Sequence, residues 1–453
     1  MVSEMAREMK DSGIEWIGEI PVEWKVLNLK YLGNTKSGLG NKKPQDFGHG
    51  YPFISYKNIY SNFSIEENYE DKVASTDIDR EKYNVLRGDA FFTGSSETIE
   101  ELGMASMCLK DIPDATYNGF SIRFRPNNLN EYIPEFMMYY FRSLATREHL
   151  VRNDNSITRA NLSQKTLKML PVLLPNFKEQ VLLANYLDQK VTKINSIIEK
   201  TKQSIEEYKK YKQSLITEVV TKGLDPNVKM KDSGIEWIGE IPEHWEIISL
   251  GLIFEYIGGY AYHSSDFTID ETNNQILRIG NVKNDKLILN DKKVFISDDI
   301  ANKSNKVKVQ EEDLIFTMTG TKGKRDYFYT VLFENSMSDK SLFINQRVGC
   351  LRAKMDISVK YYSYLLKDIK ILDSIFIYET GTANQGNLGI ESIKRTKLHF
   401  PPIHEQKEII DFLNEKTKFI NKIIEKKVKL VEELESYKKS FIYEVVTGKK
   451  EVS

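Results

Sequence analysis

The chain has 453 residues, with 64 basic against 65 acidic side chains and a formal net charge of −1. No global field marks it as a polycation, so any nucleic-acid contact must come from local basic loops. Two cysteines, Cys108 and Cys350, exclude a disulfide framework and a zinc cluster and point to a reducing compartment, and the six scattered histidines show no metal-ligand spacing.

The opening MVSEMAREMKDSG has no apolar h-region, and no window approaches 18 consecutive apolar residues. The expectation is a cytoplasmic protein without a membrane span. Residues Met9–Pro21, MKDSGIEWIGEIP, recur unchanged as Met230–Pro242, 221 residues later. Trp16 and Trp24 match Trp237 and Trp245, and all four tryptophans of the chain fall in or just after this block. They read as packing anchors rather than stacking platforms.

Residues 22–174 follow as a first variable domain. YPFISY, AFFT, MASMCL and FSIRFR are short strand-like runs divided by Gly, Asn and Asp, and Pro134 opens an amphipathic helix carrying Phe136, Tyr139, Tyr140 and Leu144. Residues 175–222 then form a long helix. Leu187, Val191, Ile194, Ile198, Thr201, Ile205, Tyr208, Lys212, Leu215 and Val219 step alternately by four and three, an a/d seam spoiled only by Thr201 and Lys212.

A hinge and the second repeat block occupy 223–242, with Gly223 as a C-cap and Pro226 as a stop. Residues 243–399 form a second variable domain, with QILRIG, DLIFTM, YFYTVLF, VGCLR and a helix around Val359–Lys367. Residues 400–453 hold the second long helix, whose seam from Leu413 to Val445 repeats the first 226 residues on. The chain is a tandem duplication. Asp89, Phe92 and Thr93 answer Asp313, Phe316 and Thr317, and Asn161 and Leu162 answer Asn387 and Leu388, while the domains otherwise share little. Scaffold that stays alike while domains diverge is expected if each domain reads something different. Two copies closing on each other about a pseudo-twofold axis would lay the helices antiparallel. The fold class is therefore α+β, two mixed domains on two long antiparallel helices, which would hold the domains at a fixed separation.

Motifs for phosphate loops, nucleophile elbows and zinc proteases are absent from the sequence. The Glu70-Asp71-Lys72 triplet is a chance arrangement in a chain with 28% charged residues rather than a nuclease site. Nucleic-acid chemistry is clearer. TMTGTKGKRDY places Thr319, Thr321, Lys322, Lys324 and Arg325 after a strand, and INQRVG adds Gln346 and Arg347. Arg and Lys suit guanine edges or phosphates, and Gln and Asn suit adenine edges. In the first domain TGSSE offers Thr93, Ser95 and Ser96, followed by Asn155, Ser156, Thr158 and Arg159, which the second domain answers with Asn384 and Gln385.

The chain resembles the specificity subunits of type I restriction-modification enzymes. The resemblance rests on DSGIEWIGEIP before each domain and on GDAFFTGSSETIEELG in the first. In the second it rests on RIGNV (with Arg278 and Asn281), MTGTKGKRDY, NQRVG and GTANQGN. LPNFKEQ and FPPIHEQ look like the family's entry into its two helices, the first lacking one proline. The resemblance implies two target recognition domains, each reading half of a split double-stranded DNA site, with the helices setting the spacer and docking modification subunits. It implies a non-catalytic chain without a cofactor of its own, S-adenosylmethionine, ATP and Mg being expected in partner modification and restriction subunits. The competing expectations are a coiled-coil adaptor that binds protein and a self-sufficient nuclease or methyltransferase.

Overall fold

The computed structural model describes residues 7–65, 71–152, 160–283, 286–382 and 384–452. They divide into two compact units, residues up to Gln203 with those from Lys427, and Ser204–Lys426. Each unit thus holds one variable domain and a segment of each long helix.

In the first unit the repeat block is a hairpin, Met9–Asp11 against Glu19–Pro21. Lys25–Asn28 then pairs antiparallel with Pro171–Leu174, so the strands entering and leaving the domain lie side by side. Between them, Gly33–Ser37, Ser121–Pro126, Ala90–Thr93 and Ala105–Met107 form a four-stranded antiparallel sheet in that order. A second sheet joins Phe47–Ile54 in parallel to Thr116–Tyr117. Helix Pro134–Arg142, opened by its proline, covers the first sheet with buried Phe136, Tyr140 and Phe141.

The second unit repeats this plan. Its hairpin is Met230–Asp232 with Glu240–Pro242, and its entry and exit strands are Glu246–Ser249 and Lys397–Phe400. The four-stranded sheet runs Phe254–Gly258, Val348–Ala353, Leu314–Thr317, Val331–Leu332, and Asn274–Leu277 pairs in parallel with Ser341–Ile344. Only Val331–Leu332 of the expected YFYTVLF strand is extended, because Phe328 adopts φ +62° and its ring turns into the core. The YPFISY run also ends early, since Ser55 caps the short helix Tyr56–Ser61.

The matched Asp landmarks are structural. Asp89 and Asp313 are fully buried, and each takes a two-pronged contact from an arginine on the neighbouring strand. Arg125 donates to Asp89 at 2.6 and 2.6 Å, and Arg352 to Asp313 at 2.8 and 2.7 Å. Each carboxylate also accepts a backbone N–H, from Leu86 and from Gln310, which satisfies the lone pairs such a buried ion must fill.

The long helices span Phe177–Lys222 and Ile403–Val446. Every a/d position expected from the heptads is buried or half-buried, and Gly223 at φ +81° ends the first helix as anticipated. In the first unit Asn195 meets Lys438 at 2.9 Å, Lys202 meets Glu435 at 3.2 Å, and the Tyr186 and Phe441 rings lie 5.7 Å apart. Numbers rising on one helix as they fall on the other make the two segments antiparallel. The polar intruders in the seam are satisfied, Lys438 by Asn195 in the first unit and Lys212 by Asn421 at 3.0 Å in the second. These two bridges are the same pair 226 residues apart, and burial lowers the pKa of both lysines.

Conserving the tryptophans across the duplication has a packing reason, as expected. Trp24 and Trp245 are fully buried and donate their indole N–H to Glu179 (3.1 Å) and Glu405 (2.9 Å). The adjacent glutamines tie each helix to its domain. Gln180 accepts from Ile133 N–H and donates to Pro175 O, and Gln406 accepts from Ser358 N–H and donates to Pro401 O. The Glu-Gln pair at each helix entry is therefore a joint, one residue gripping the repeat block and the other the domain.

Candidate nucleic-acid interface

In each domain the carboxyl ends of several strands gather at one edge, because the strands flanking the long central strand both run against it. In the second domain that edge holds the segments after Gly258, Leu277, Thr317 and Ile344. Tyr260 bridges to Asn345, Gln346 N–H donates to Tyr260 O at 3.0 Å, Asn345 N–H to Leu277 O at 2.9 Å, and Met318 N–H to Arg347 O at 3.0 Å. Arg278, Gln346 and Arg347 are thereby neighbours along the backbone network, and all three side chains are exposed. Among the described residues neither Arg278 nor Arg347 forms an ion pair, which leaves both guanidinium forks open for a planar anionic or base-edge partner.

The basic loop and the Gly-rich loop are joined in one small sheet. Thr319 pairs with Asn387 and Gly320 with Gly386, and Thr380–Thr382 completes it, bringing Asn384 and Gln385 to an exposed hairpin end. The loop between is braced by acids. Asp326 accepts from Thr321 N–H at 2.7 Å and is held below the usual carboxylate range by its hydrogen bonds to Thr321. Glu379 accepts from Gly323 N–H (3.0 Å) and the Tyr327 hydroxyl (2.6 Å), Lys322 donates to Gly381 O (3.0 Å), and Arg325 is paired with Asp373. Lys324 is exposed and makes no ion pair among the described residues. The structure thus brings together Arg278, Thr319, Gln346 and Arg347 at one edge, while Lys322 and Arg325 are partly committed within the protein.

Three expected contacts are corrected. Asn281 is buried and spends its amide on Ile288 O, Asp291 O and Arg278 N–H, so it shapes the turn rather than facing a ligand. Thr93 is fully buried, its hydroxyl donating to Glu101 O (2.7 Å) and accepting from Met104 N–H (2.8 Å). Ser96 is likewise turned inward, onto Thr98 O at 2.6 Å. Ser95 stays half-exposed and pairs with Asn161, as Thr319 pairs with Asn387. Asn155, Ser156, Thr158 and Arg159 lie outside the described residues, as does Glu70.

Sequence reasoning missed Phe120, which is 73% exposed at the first domain's loop edge, and Tyr260, exposed beside Tyr262 with ring centroids 4.8 Å apart. The available signal was the Asn that opens a four-residue turn before a strand, Asn118 in one domain and Asn345 in the other.

The family model for the type I restriction modification DNA specificity domain matches residues 21–207 and 242–433. Over 450 residues the chain is 26% identical to a protein of Methanocaldococcus jannaschii provisionally named the type I restriction enzyme MjaX specificity subunit, covering 96% of this chain and 95% of that one. It is 26% identical over 318 residues to the MjaVIII specificity subunit of the same organism, covering 69% and 70%. Two solved structures share the fold at 12% identity. One, from work on complex assembly and conformational transition of the type I R-M system, gives a TM-score of 0.70 over 95% of this chain and 99% of its own. The HsdS subunit from Thermoanaerobacter tengcongensis gives 0.53 over 95% and 98%. Matched in both domains and along both helices, the chain belongs to the type I restriction modification DNA specificity family.

Proposed function

We propose that this specificity subunit reads a bipartite, asymmetric DNA site, each domain contacting one half through the loops at its strand-end edge. The observation that carries the reading is a contrast inside one chain. The two domains share sheet order, the buried Asp–Arg pair and the turn frame, yet at matching turn positions one offers a half-buried Gly119 and an exposed Phe120 and the other the exposed Gln346 and Arg347. A common frame with different tips suits two readers of different sequence.

The chain acts without catalytic residues or a cofactor of its own. Modification subunits carrying S-adenosylmethionine methylate the site that this chain selects, and restriction subunits with ATP and Mg cleave, all within the cytoplasm. The helices set the spacer and offer the surface on which modification subunits dock. Among the described residues no helix is long and apolar enough to cross a membrane.

Mapping methylated adenines in a genome carrying this chain and its modification partner tests the reading. A split motif with two unlike halves and a fixed spacer is expected. A single contiguous motif, or a palindrome, would contradict it.

A further inference from the structure

Each domain carries one four-residue turn at its strand-end edge, built on the same hydrogen bonds. In the first, Ser121 N–H closes on Asn118 O at 3.3 Å, and Gly94 N–H donates to Phe120 O at 2.8 Å. In the second, Val348 N–H closes on Asn345 O at 2.7 Å, and Met318 N–H donates to Arg347 O at 3.0 Å. The residue before each turn accepts from the same neighbouring loop, Tyr117 O from Leu39 N–H and Ile344 O from Tyr260 N–H. Phe120 and Arg347 are therefore equivalent, each the third residue of its turn, and both face solvent.

The backbone beneath Phe120 is fixed. Asn118 is buried, donates its N–H (3.1 Å) and its Nδ2 (3.3 Å) to Ile54 O, and accepts from Phe120 N–H at 3.0 Å, while Ser121 Oγ donates to Asn118 O at 2.8 Å. Two glycines, Gly119 and Gly94, lie beside Phe120 in this turn and the strand end it bonds to. A Cβ on Gly119 would be a tight fit, 3.0 Å from Leu39 O and 3.2 Å from Gly40 Cα, and a Cβ on Gly94 would clash at 2.7 Å from Phe120 O. The ring is thus the projecting group of this turn, 73% exposed on a braced backbone. A phenyl ring has no conventional hydrogen-bond donor or acceptor, so it cannot make the paired contacts with polar base edges that suit Arg347. On the major-groove edge of B-DNA the apolar group open to such contact is the 5-methyl of thymine.

We propose that Phe120 is a specificity-determining residue of the first domain and reads a thymine through its 5-methyl group, at the position where the second domain uses Arg347. This rests on the reading that each domain contacts one half-site. It makes the two half-sites chemically unlike at matching positions, one read by an apolar contact and the other by a guanidinium.

The test uses the complex of this chain with its modification subunits and a duplex bearing the sequence obtained from methylation mapping. Each thymine of the half-site that the first domain reads, assigned by exchanging residues 22–174 for those of a relative, is replaced in turn by deoxyuridine, which removes only the methyl. One replacement should weaken binding about fourfold, the effect of a single buried methyl-sized group. Phe120→Ala should weaken binding to the unmodified duplex at least as much, and should be insensitive to that same deoxyuridine. The proposal is overturned if the half-site contains no thymine, if no replacement weakens binding, or if the two losses multiply, as they would for a ring wedged between base steps. Arg347→Ala serves as the control. If it relaxes the other half-site while Phe120→Ala changes nothing, the Phe120 assignment alone fails. If neither variant alters selection, the reading of these turns as DNA-facing fails with it.

Discussion

His399 sets up a pH dependence of stability that its structural counterpart cannot share. It lies on the exit strand opposite Ile247, is 3% exposed, and neither ring nitrogen has a hydrogen-bond partner among the described residues. Burial lowers its pKa to about 4, with Asp368 working to raise it and Lys370 to lower it further. At the same register of the first unit, opposite Val26, the chain places Leu173. An unfolded histidine titrates near the ordinary ~6.5, so as pH falls below that value the unfolded state takes up a proton that the native state refuses. Stability from this site is therefore full above about pH 7 and declines as pH falls toward 4, the total amounting to about 3 kcal/mol. Roughly 2 kcal/mol of that should be gone by pH 5. Urea unfolding of the wild type and of His399→Leu at pH 7 and pH 5, followed by tryptophan fluorescence, isolates the effect because every other titrating group is common to both proteins. The wild type should lose more stability than the variant over this interval. Equal losses would refute the assignment of His399 as a buried neutral imidazole.

Gln180→Leu should destabilise the first unit by about 1–3 kcal/mol, since Ile133 N–H is left buried without an acceptor. Gln406→Leu should do the same in the second unit through Ser358 N–H, and hydrogen exchange resolved by unit would show each loss confined to its own half. Arg347→Ala should weaken selection of one half-site by about 1–3 kcal/mol, the worth of a good bidentate base contact, and leave the other half intact. Arg325→Ala should weaken it less, because that guanidinium is already engaged by Asp373, and methylation rates on matched and mismatched duplexes measure both. A matched heptad inserted after Ile205 and after Val431 keeps both seams in register and adds about 10 Å of helix. The selected spacer should then lengthen by roughly three base pairs, at the 3.4 Å rise per pair of B-DNA. An unchanged spacer in a folded, active variant would remove the helices from that role.

The duplication, the two helices and the tryptophan anchors were legible because each is a local or periodic signal. Heptad steps fix a buried seam wherever the partner helix comes from, and a block repeated without change advertises a shared packing role. Even the seam's polar intruders were visible, although their satisfaction was not, since Lys212 finds Asn421 only across 209 residues of chain. The loop chemistry was legible in kind but not residue by residue. Thr93 and Asn281 look like base-reading side chains in sequence, and become turn braces only when Glu101 and Met104, or Ile288 and Asp291, fold against them. Phe120 was hidden for the opposite reason. At the head of FSIRFR it reads as the first residue of a buried strand, whereas the strand begins one residue later and the turn leaves the ring outside.

Whether one domain selects one half of the DNA site is open to direct measurement. Replacing residues 22–174 with the corresponding block of a relative, then mapping methylated adenines made by the complex with its modification subunits, measures it directly. One half of the motif should change while the other half is retained. Simultaneous change of both halves, or change of neither in an active complex, would contradict it.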